Sequence, residues 1–76
     1  MELILYSGKD CCLCDEAETL IEQINDRSIK LRKVDVKSST ELYHLYGARI
    51  PVIYREDIKQ ELSWPFDSSK LREFIF

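Results

Sequence analysis

The sequence predicts one α/β domain of order β-α-β-α-β-β-α, in which helices flank a mixed four-stranded sheet. A strand, a helix and a second strand open the chain, which implies a parallel crossover. Two neighbouring strands near the end imply an antiparallel hairpin. The chain has 76 residues, of which 45% are apolar, so it is long enough for one core and residues 1–76 are taken as a single domain.

The first strand and the first helix are marked by a change in the apolar period. Residues 2–7 (ELILYS) form a short apolar run, which is typical of a strand buried on both faces. After Gly8, apolar side chains recur at the spacing of one helix face. This stripe comprises Leu13, Ala17, Leu20, Ile21 and Ile24. We expect Asn25 and Asp26 to end the helix.

The second strand and the second helix follow. Residues 29–36 (IKLRKVDV) predict a strand whose alternation slips between Leu31 and Val34, indicating a bulge or burial on both faces. Residues 38–41 (SSTE) have the capping-box pattern of a helix start. The apolar side of that helix comprises Leu42, Leu45 and Tyr46. Gly47 is expected to close it in the left-handed conformation.

The last third of the chain predicts a hairpin and a final helix. Residues 51–54 (PVIY) predict the third strand, which begins at a proline that cannot donate to the ladder. Residues 55–57 turn the chain. The alternating fourth strand carries Ile58, Gln60, Leu62 and Trp64. Asp67 is the predicted N-cap of the last helix, and Phe66 and Leu71 occupy the two positions of a hydrophobic staple.

Three cysteines at positions 11, 12 and 14 carry the chemistry of the sequence. Cys11 falls where the first helix begins, and the unsatisfied N–H groups there stabilise a thiolate. Cys14 lies one turn later on the same side, so a disulfide across the turn can form and open with little backbone movement. The pattern predicts a dithiol couple in which Cys11 attacks a disulfide and Cys14 resolves the mixed disulfide. Cys12 is expected to be inert.

Metal binding is the alternative for this cluster. The three cysteines and His44 supply four soft ligands in number, and a cluster bridged between two subunits needs only some of them. The sequence lacks the second closely spaced pair that closes structural zinc sites, and His44 is expected to face solvent. We predict no metal ligands. The second hypothesis is a non-catalytic module that holds a metal or an iron–sulfur cluster, or docks a partner.

The charge and the hydropathy of the chain limit its partners. A formal charge of −3 argues against nucleic acid, which needs a basic surface. No apolar run approaches the length that spans a membrane, so we expect a cytoplasmic protein and no membrane partner. The expected partner is a disulfide-containing protein or a small thiol, and the expected state is a monomer. Trp64 is expected in the core or at its rim; if it lines the site instead, a groove for an extended peptide follows.

Three segments resemble the glutaredoxin-like branch of the thioredoxin superfamily. They are residues 6–15 (YSGKDCCLCD) after an apolar strand, residues 49–52 (RIPV), and residues 64–67 (WPFD). The last is similar to a segment of the short glutaredoxin-like proteins, and the resemblance covers essentially the whole chain. It implies a thioredoxin-like fold and a thiol–disulfide oxidoreductase that serves cell redox homeostasis.

The same resemblance implies roles for single residues. Cys11 would be the nucleophile and Cys14 the resolving thiol, while Pro51 would be a cis-proline facing the disulfide. Ile50 would present its backbone to the substrate. The remaining candidates for substrate binding are Lys9, Arg49 and Asp67; for the arginine, a solvated or salt-bridged state is the alternative.

The departures from the family pattern concern glutathione. Glutaredoxins have a Gly-Gly-x-Asp segment whose backbone approaches glutathione, and here bulky residues 64–67 stand in its place. Their lysine three places before the nucleophile is Gly8 here, with Lys9 shifted by one. We therefore predict no bound cofactor, and glutathione at most as a co-substrate.

Overall fold

The computed structural model describes residues 1–24 and 27–76 and has the predicted order of elements. The elements are β1 (Glu2–Ser7), α1 (Cys12–Ile24), β2 (Lys30–Asp35), α2 (Thr40–Tyr46), β3 (Val52–Arg55), β4 (Gln60–Ser63) and α3 (Ser68–Ile75). A 3₁₀ turn, Val36–Ser38, links β2 to α2. Asn25 and Asp26, the predicted end of α1, lie outside the described residues. Within the described ranges, no helix combines the length and the apolar character needed to cross a membrane.

The four strands form one mixed sheet in the order β2-β1-β3-β4. β1 pairs parallel with β2 and antiparallel with β3, and β3 pairs antiparallel with β4. This is the predicted crossover and hairpin. β1 is an inner strand with β2 on one side and β3 on the other. The loop that follows β1 therefore begins between two paired strands.

The main core lies between the sheet and the pair of helices α1 and α3. Its buried members are Leu3, Leu5, Ala17, Ile21, Ile53, Phe66, Leu71 and Ile75. Successive residues of a strand point to opposite faces, so Ile4 and Tyr6 face away from this core. Ile4 is buried there, and the Tyr6 ring stacks on Tyr46 of α2 with 4.4 Å between centroids. β1 is therefore covered on both faces, as predicted.

Two predictions for α1 and β2 are wrong. Leu13 is 44% exposed, whereas Cys14 is buried, because the inner face of α1 runs through Cys14, Ala17 and Ile21. β2 has neither a bulge nor two buried faces. Its register with β1 runs unbroken over all six residues, and the strand is mostly exposed because it forms the edge of the sheet.

The second helix differs from the prediction at both ends. Its N-cap is Ser39, whose hydroxyl accepts from the Leu42 N–H at 3.4 Å, one residue later than the capping-box pattern indicated. Gly47 is right-handed (φ −53°, ψ −35°). A side chain there would bring its Cβ within 2.5 Å of the Tyr43 carbonyl, so close packing explains this glycine. Leu45 is exposed, so it does not belong to a buried side of this helix as predicted.

The hairpin is shorter than predicted, whereas the start of the last helix is confirmed. β3 begins one residue after Pro51 and β4 begins at Gln60, which leaves Ile58 exposed in the turn between them. Asp67 is the N-cap of α3, and its carboxylate accepts from the Lys70 N–H at 2.8 Å. The staple residues, Phe66 and Leu71, both belong to the main core.

Arg55 joins the hairpin to the end of α3. Its Nη1 donates to the carbonyls of Phe74 (2.7 Å) and Ile75 (3.0 Å), which the helix end leaves without intrahelical partners. The guanidinium also donates to both carboxylate oxygens of Asp57, at 3.0 Å for Nε. Asp57 thereby orients the arginine, and the hydrogen bond from Arg55 lowers the pKa of the Asp57 carboxyl.

We expect Asp57→Asn to weaken the acid dependence of stability. A carboxyl whose pKa is lower in the folded protein stabilises it above the unfolded value of about 3.9, and this contribution is lost as the pH falls through the folded value. An asparagine amide cannot ionise, so the variant should be less stable at pH 7 and approach the wild type in strong acid. Urea midpoints measured between neutral and strongly acidic pH test this, with Glu73→Gln as a surface control. Parallel pH curves for Asp57→Asn and the wild type would contradict the assignment.

Candidate active site

Cys11 is the N-cap residue of α1, at the end of the loop that leaves β1. The Cys11 carbonyl accepts the first helical hydrogen bond, from the Asp15 N–H at 3.2 Å. The Cys11 sulfur accepts the Cys14 N–H at 3.1 Å. A sulfur held in this position faces the positive end of the helix dipole, which favours its thiolate form. Asp10 precedes it in the left-handed conformation, with φ of 58°.

The structure pairs Cys11 with Cys14 in a disulfide. Their Cα atoms are 5.2 Å apart, inside the range that a disulfide bridges without backbone distortion. The access of solvent to the three cysteines differs: Cys11 is half-buried, Cys14 is 2% exposed, and Cys12 is an exposed free thiol. Of the bonded pair, Cys11 is therefore the sulfur that an incoming group reaches first.

Ile50 and Pro51 lie beside the loop that carries Cys11. A Cβ at Gly8 would come within 2.9 Å of the end of the Ile50 side chain, so the two segments pack closely. The Ile50–Pro51 peptide bond is cis, as the resemblance implied, and Pro51 is buried. The Pro51 carbonyl accepts the Trp64 N–H at 3.2 Å. These contacts bring the loop after β1, the start of β3 and the end of β4 together.

Arg49 is in the salt-bridged state that the sequence left open. Its Nη1 lies 2.8 Å from Glu61, and its Nε and Nη2 donate to the Leu45 carbonyl at the end of α2. The guanidinium carbon is 5.2 Å from the centre of the Tyr46 ring. Arg49 thus links α2 to β4. A contact of Arg49 with substrate stays a prediction.

The phenols beneath this arginine add no charge to the site. Burial raises the pKa of Tyr6 and, together with the Glu61 carboxylate, the pKa of Tyr46. Both phenols therefore stay protonated at pH 7. Their stacked rings hold α2 against the back of the sheet.

Lys9 lies on the other side of the loop, where β1 and β2 end. It lines an open cavity of about 350 Å³ with Gly8, Lys33 and Asp35. Lys33 is 2.7 Å from Glu18 of α1, and this hydrogen bond raises the pKa of the Lys33 ammonium. Lys9 is exposed two residues before Cys11, so it contributes positive charge to the surroundings of the pair. Its contact with substrate stays a prediction.

Asp67 and Trp64 share a groove with α1 that sequence reasoning did not place. The groove has a volume of about 550 Å³ and lies between α1 and the segment 64–68. The carboxylates of Asp15, Glu16 and Asp67 line it, as do the side chains of Leu20, Trp64 and Phe66. The two aromatic rings meet edge to face, with 4.9 Å between centroids. In the sequence, only the segment WPFD pointed to this groove. The residues of α1 that line its other side lie about 50 positions earlier in the chain, so the sequence did not connect the two.

In the part of the chain that the structure describes, no group of three His, Cys, Asp or Glu side chains is placed to hold a metal ion. His44 is exposed on α2, as predicted from the sequence.

Comparison with known proteins relates this architecture to two groups of structures. A family model, the glutaredoxin-like domain (DUF836), matches residues 2–76. The X-ray structure of the structural-genomics target XcR50 from X. campestris is 34% identical, covers 96% of this chain and 93% of its own, and has a TM-score of 0.85. The solution structure of the same target is 37% identical, the match covers 99% of this chain and 92% of that chain, and the TM-score is 0.82.

The second similarity concerns the fold. A mutant thioredoxin from Halobacterium salinarum NRC-1 is 23% identical, with a TM-score of 0.73 over 97% of this chain and 70% of that one. At this identity the comparison shows the thioredoxin-like fold alone. Among curated proteins the search found no match.

Proposed function

The chain belongs to the glutaredoxin-like domain family, and from that premise we propose that it is a thiol–disulfide oxidoreductase working through a Cys11/Cys14 couple. The observation that carries the proposal is the state of the Cys11 sulfur. It caps α1, accepts the Cys14 N–H at 3.1 Å, and is bonded to a buried cysteine one turn away. A helix N-terminus favours the thiolate, which is the nucleophile in disulfide exchange.

The reaction transfers two electrons to the substrate in two exchanges. The Cys11 thiolate attacks one sulfur of a substrate disulfide, and the other sulfur leaves as a thiolate that takes a proton from water. Cys14 then loses its proton to water and attacks the Cys11 sulfur, forming the Cys11–Cys14 disulfide and releasing the second substrate thiolate. The substrate disulfide is reduced and the protein is oxidised. A dithiol or two monothiols must return the electrons to the protein.

The burial of Cys14 supports its assignment to the second step. Cys14 is only 2% exposed, so a substrate disulfide cannot easily reach its sulfur. The Cys11 sulfur is within bonding distance of the Cys14 sulfur, as the disulfide in the structure shows. The order of attack follows from this difference in access. We place the protein in the cytoplasm as a monomer without a bound cofactor, acting on protein or small-molecule disulfides.

A titration of the metal-free protein across dithiol redox buffers tests the proposal. Free thiols are trapped by alkylation and counted by intact mass. We expect one labelled thiol at oxidising poise, three at reducing poise, and a single transition between them, because Cys11 and Cys14 react as a pair while the exposed Cys12 stays free. Failure to form an intramolecular disulfide at any poise would overturn the proposed function.

A further inference from the structure

The groove beside the cysteine pair combines an apolar floor with an acidic rim. Leu20, Trp64 and Phe66 form the floor, and Phe66 is itself buried in the core. Asp15, Glu16 and Asp67 form the rim, and all three residues are exposed. We call these six residues the acidic groove. It begins at the residue after Cys14, and none of the described residues that line it is basic.

The three rim carboxylates are attached near the starts of two helices. Asp15 and Glu16 stand on the first turns of α1, and Asp67 is held at the start of α3 by the Lys70 N–H at 2.8 Å. Three like charges around one concavity focus a negative potential there.

We propose that the acidic groove binds an extended peptide segment in which an apolar side chain adjoins lysine or arginine. This inference rests on the proposed function and narrows it: the preferred substrates are disulfides in cationic protein segments. The apolar side chain packs against Trp64 and Leu20, while the cationic neighbour meets the rim. Trp64 connects the groove to the site, because its backbone N–H donates to the Pro51 carbonyl beside the cysteine loop.

The charge of the groove disfavours an anionic ligand such as glutathione, which carries two carboxylates and one ammonium group. Its carboxylates would meet the rim carboxylates, and like-charge juxtaposition selects against the wrong partner. The same field would raise the local concentration of a cationic segment. Complementarity of this kind affects partner choice and association rate more than it affects total affinity.

Binding is measured first, with cysteine-free peptides that cannot react. Trp64 is the single tryptophan of the chain and lies in the groove, so its fluorescence reports occupancy directly. Two peptides of equal length differ only in having Arg-Leu-Arg or Glu-Leu-Glu at the centre. We expect the arginine peptide to bind about tenfold tighter at low salt, and the difference to shrink as added salt screens the rim.

Matched variants then locate the effect. Glu16→Lys should cost the arginine peptide about fivefold in affinity and raise that of the glutamate peptide. Glu73→Lys makes the same charge change on α3 outside the groove and should leave both affinities close to the wild type. Circular dichroism of both variants checks that they are folded. Equal affinity for the two peptides, or an equal effect of both variants, would overturn the inference.

Each of the two peptides is then made with one added cysteine in a mixed disulfide with a small thiol, and reduction of these disulfides separates this inference from the function on which it rests. We expect kcat/KM in the wild type to favour the arginine peptide, as binding does, and this preference to shrink in Glu16→Lys. A working redox couple with no preference between the peptides would overturn the inference and leave the oxidoreductase intact. A peptide preference in binding without any redox couple would overturn the oxidoreductase and keep the groove as a peptide-binding surface.

Discussion

Replacing Cys11 with serine is expected to reduce disulfide exchange by more than about a hundredfold, to the rate of the reaction without enzyme. The variant keeps the helix N-terminus but has no sulfur at the position where the Cys14 N–H donates. A serine hydroxyl stays protonated at neutral pH and cannot form the mixed disulfide. Stopped-flow assays with a model peptide disulfide measure the loss.

Cys14→Ser should fail at a different step. Cys11 can still attack, but the mixed disulfide has no partner thiol 5.2 Å away in Cα separation to resolve it. The variant should therefore accumulate one substrate half, seen by intact mass as a single adduct on residue 11. Cys12→Ser is the matched control and should retain the activity of the wild type, because Cys12 is exposed and outside the bonded pair. An adduct on residue 14 in Cys11→Ser, with turnover preserved, would reverse the assigned order.

The largest effect on stability is expected for Leu71→Ala. Leu71 is fully buried on α3, where it packs in the main core. Removing a buried leucine side chain costs about 2 to 5 kcal/mol, since transfer energy is lost and a cavity remains. A domain of 76 residues has roughly 4 to 11 kcal/mol in total, so the variant should be near the limit of folding. Urea unfolding followed by Trp64 fluorescence, with the disulfide kept oxidised, measures the change.

Leu13→Ala is the matched control for this experiment. It makes the same substitution in a helix, so the gain in helix propensity is the same in both variants. Leu13 is 44% exposed, and its replacement should cost less than about 1 kcal/mol. If Leu13→Ala proved as destabilising as Leu71→Ala, the buried face of α1 would be the one that the apolar stripe predicted.

The parts of the fold that were predicted correctly depend on interactions between residues close together in the chain. Apolar periods of two and of 3.6 residues report whether a segment can bury one face, so the order of strands and helices was readable. The cap at Asp67 needs only the N–H three residues on, and the contact of Cys11 with Cys14 likewise lies within one turn. The pairing of Cys11 with Cys14 could therefore be predicted from the sequence.

The tertiary structure decided which face of each helix or strand is buried. Leu13 and Cys14 are neighbours on α1, and the rotation of the helix about its own axis decides that Cys14 is the one that faces the core. Arg49 meets Glu61 twelve positions away, and the acidic groove joins α1 to residues about 50 positions further on. Such contacts depend on how complete elements pack against one another. A local sequence pattern does not report that packing. The free energy of packing is gained only when surfaces distant in the chain are buried from water together.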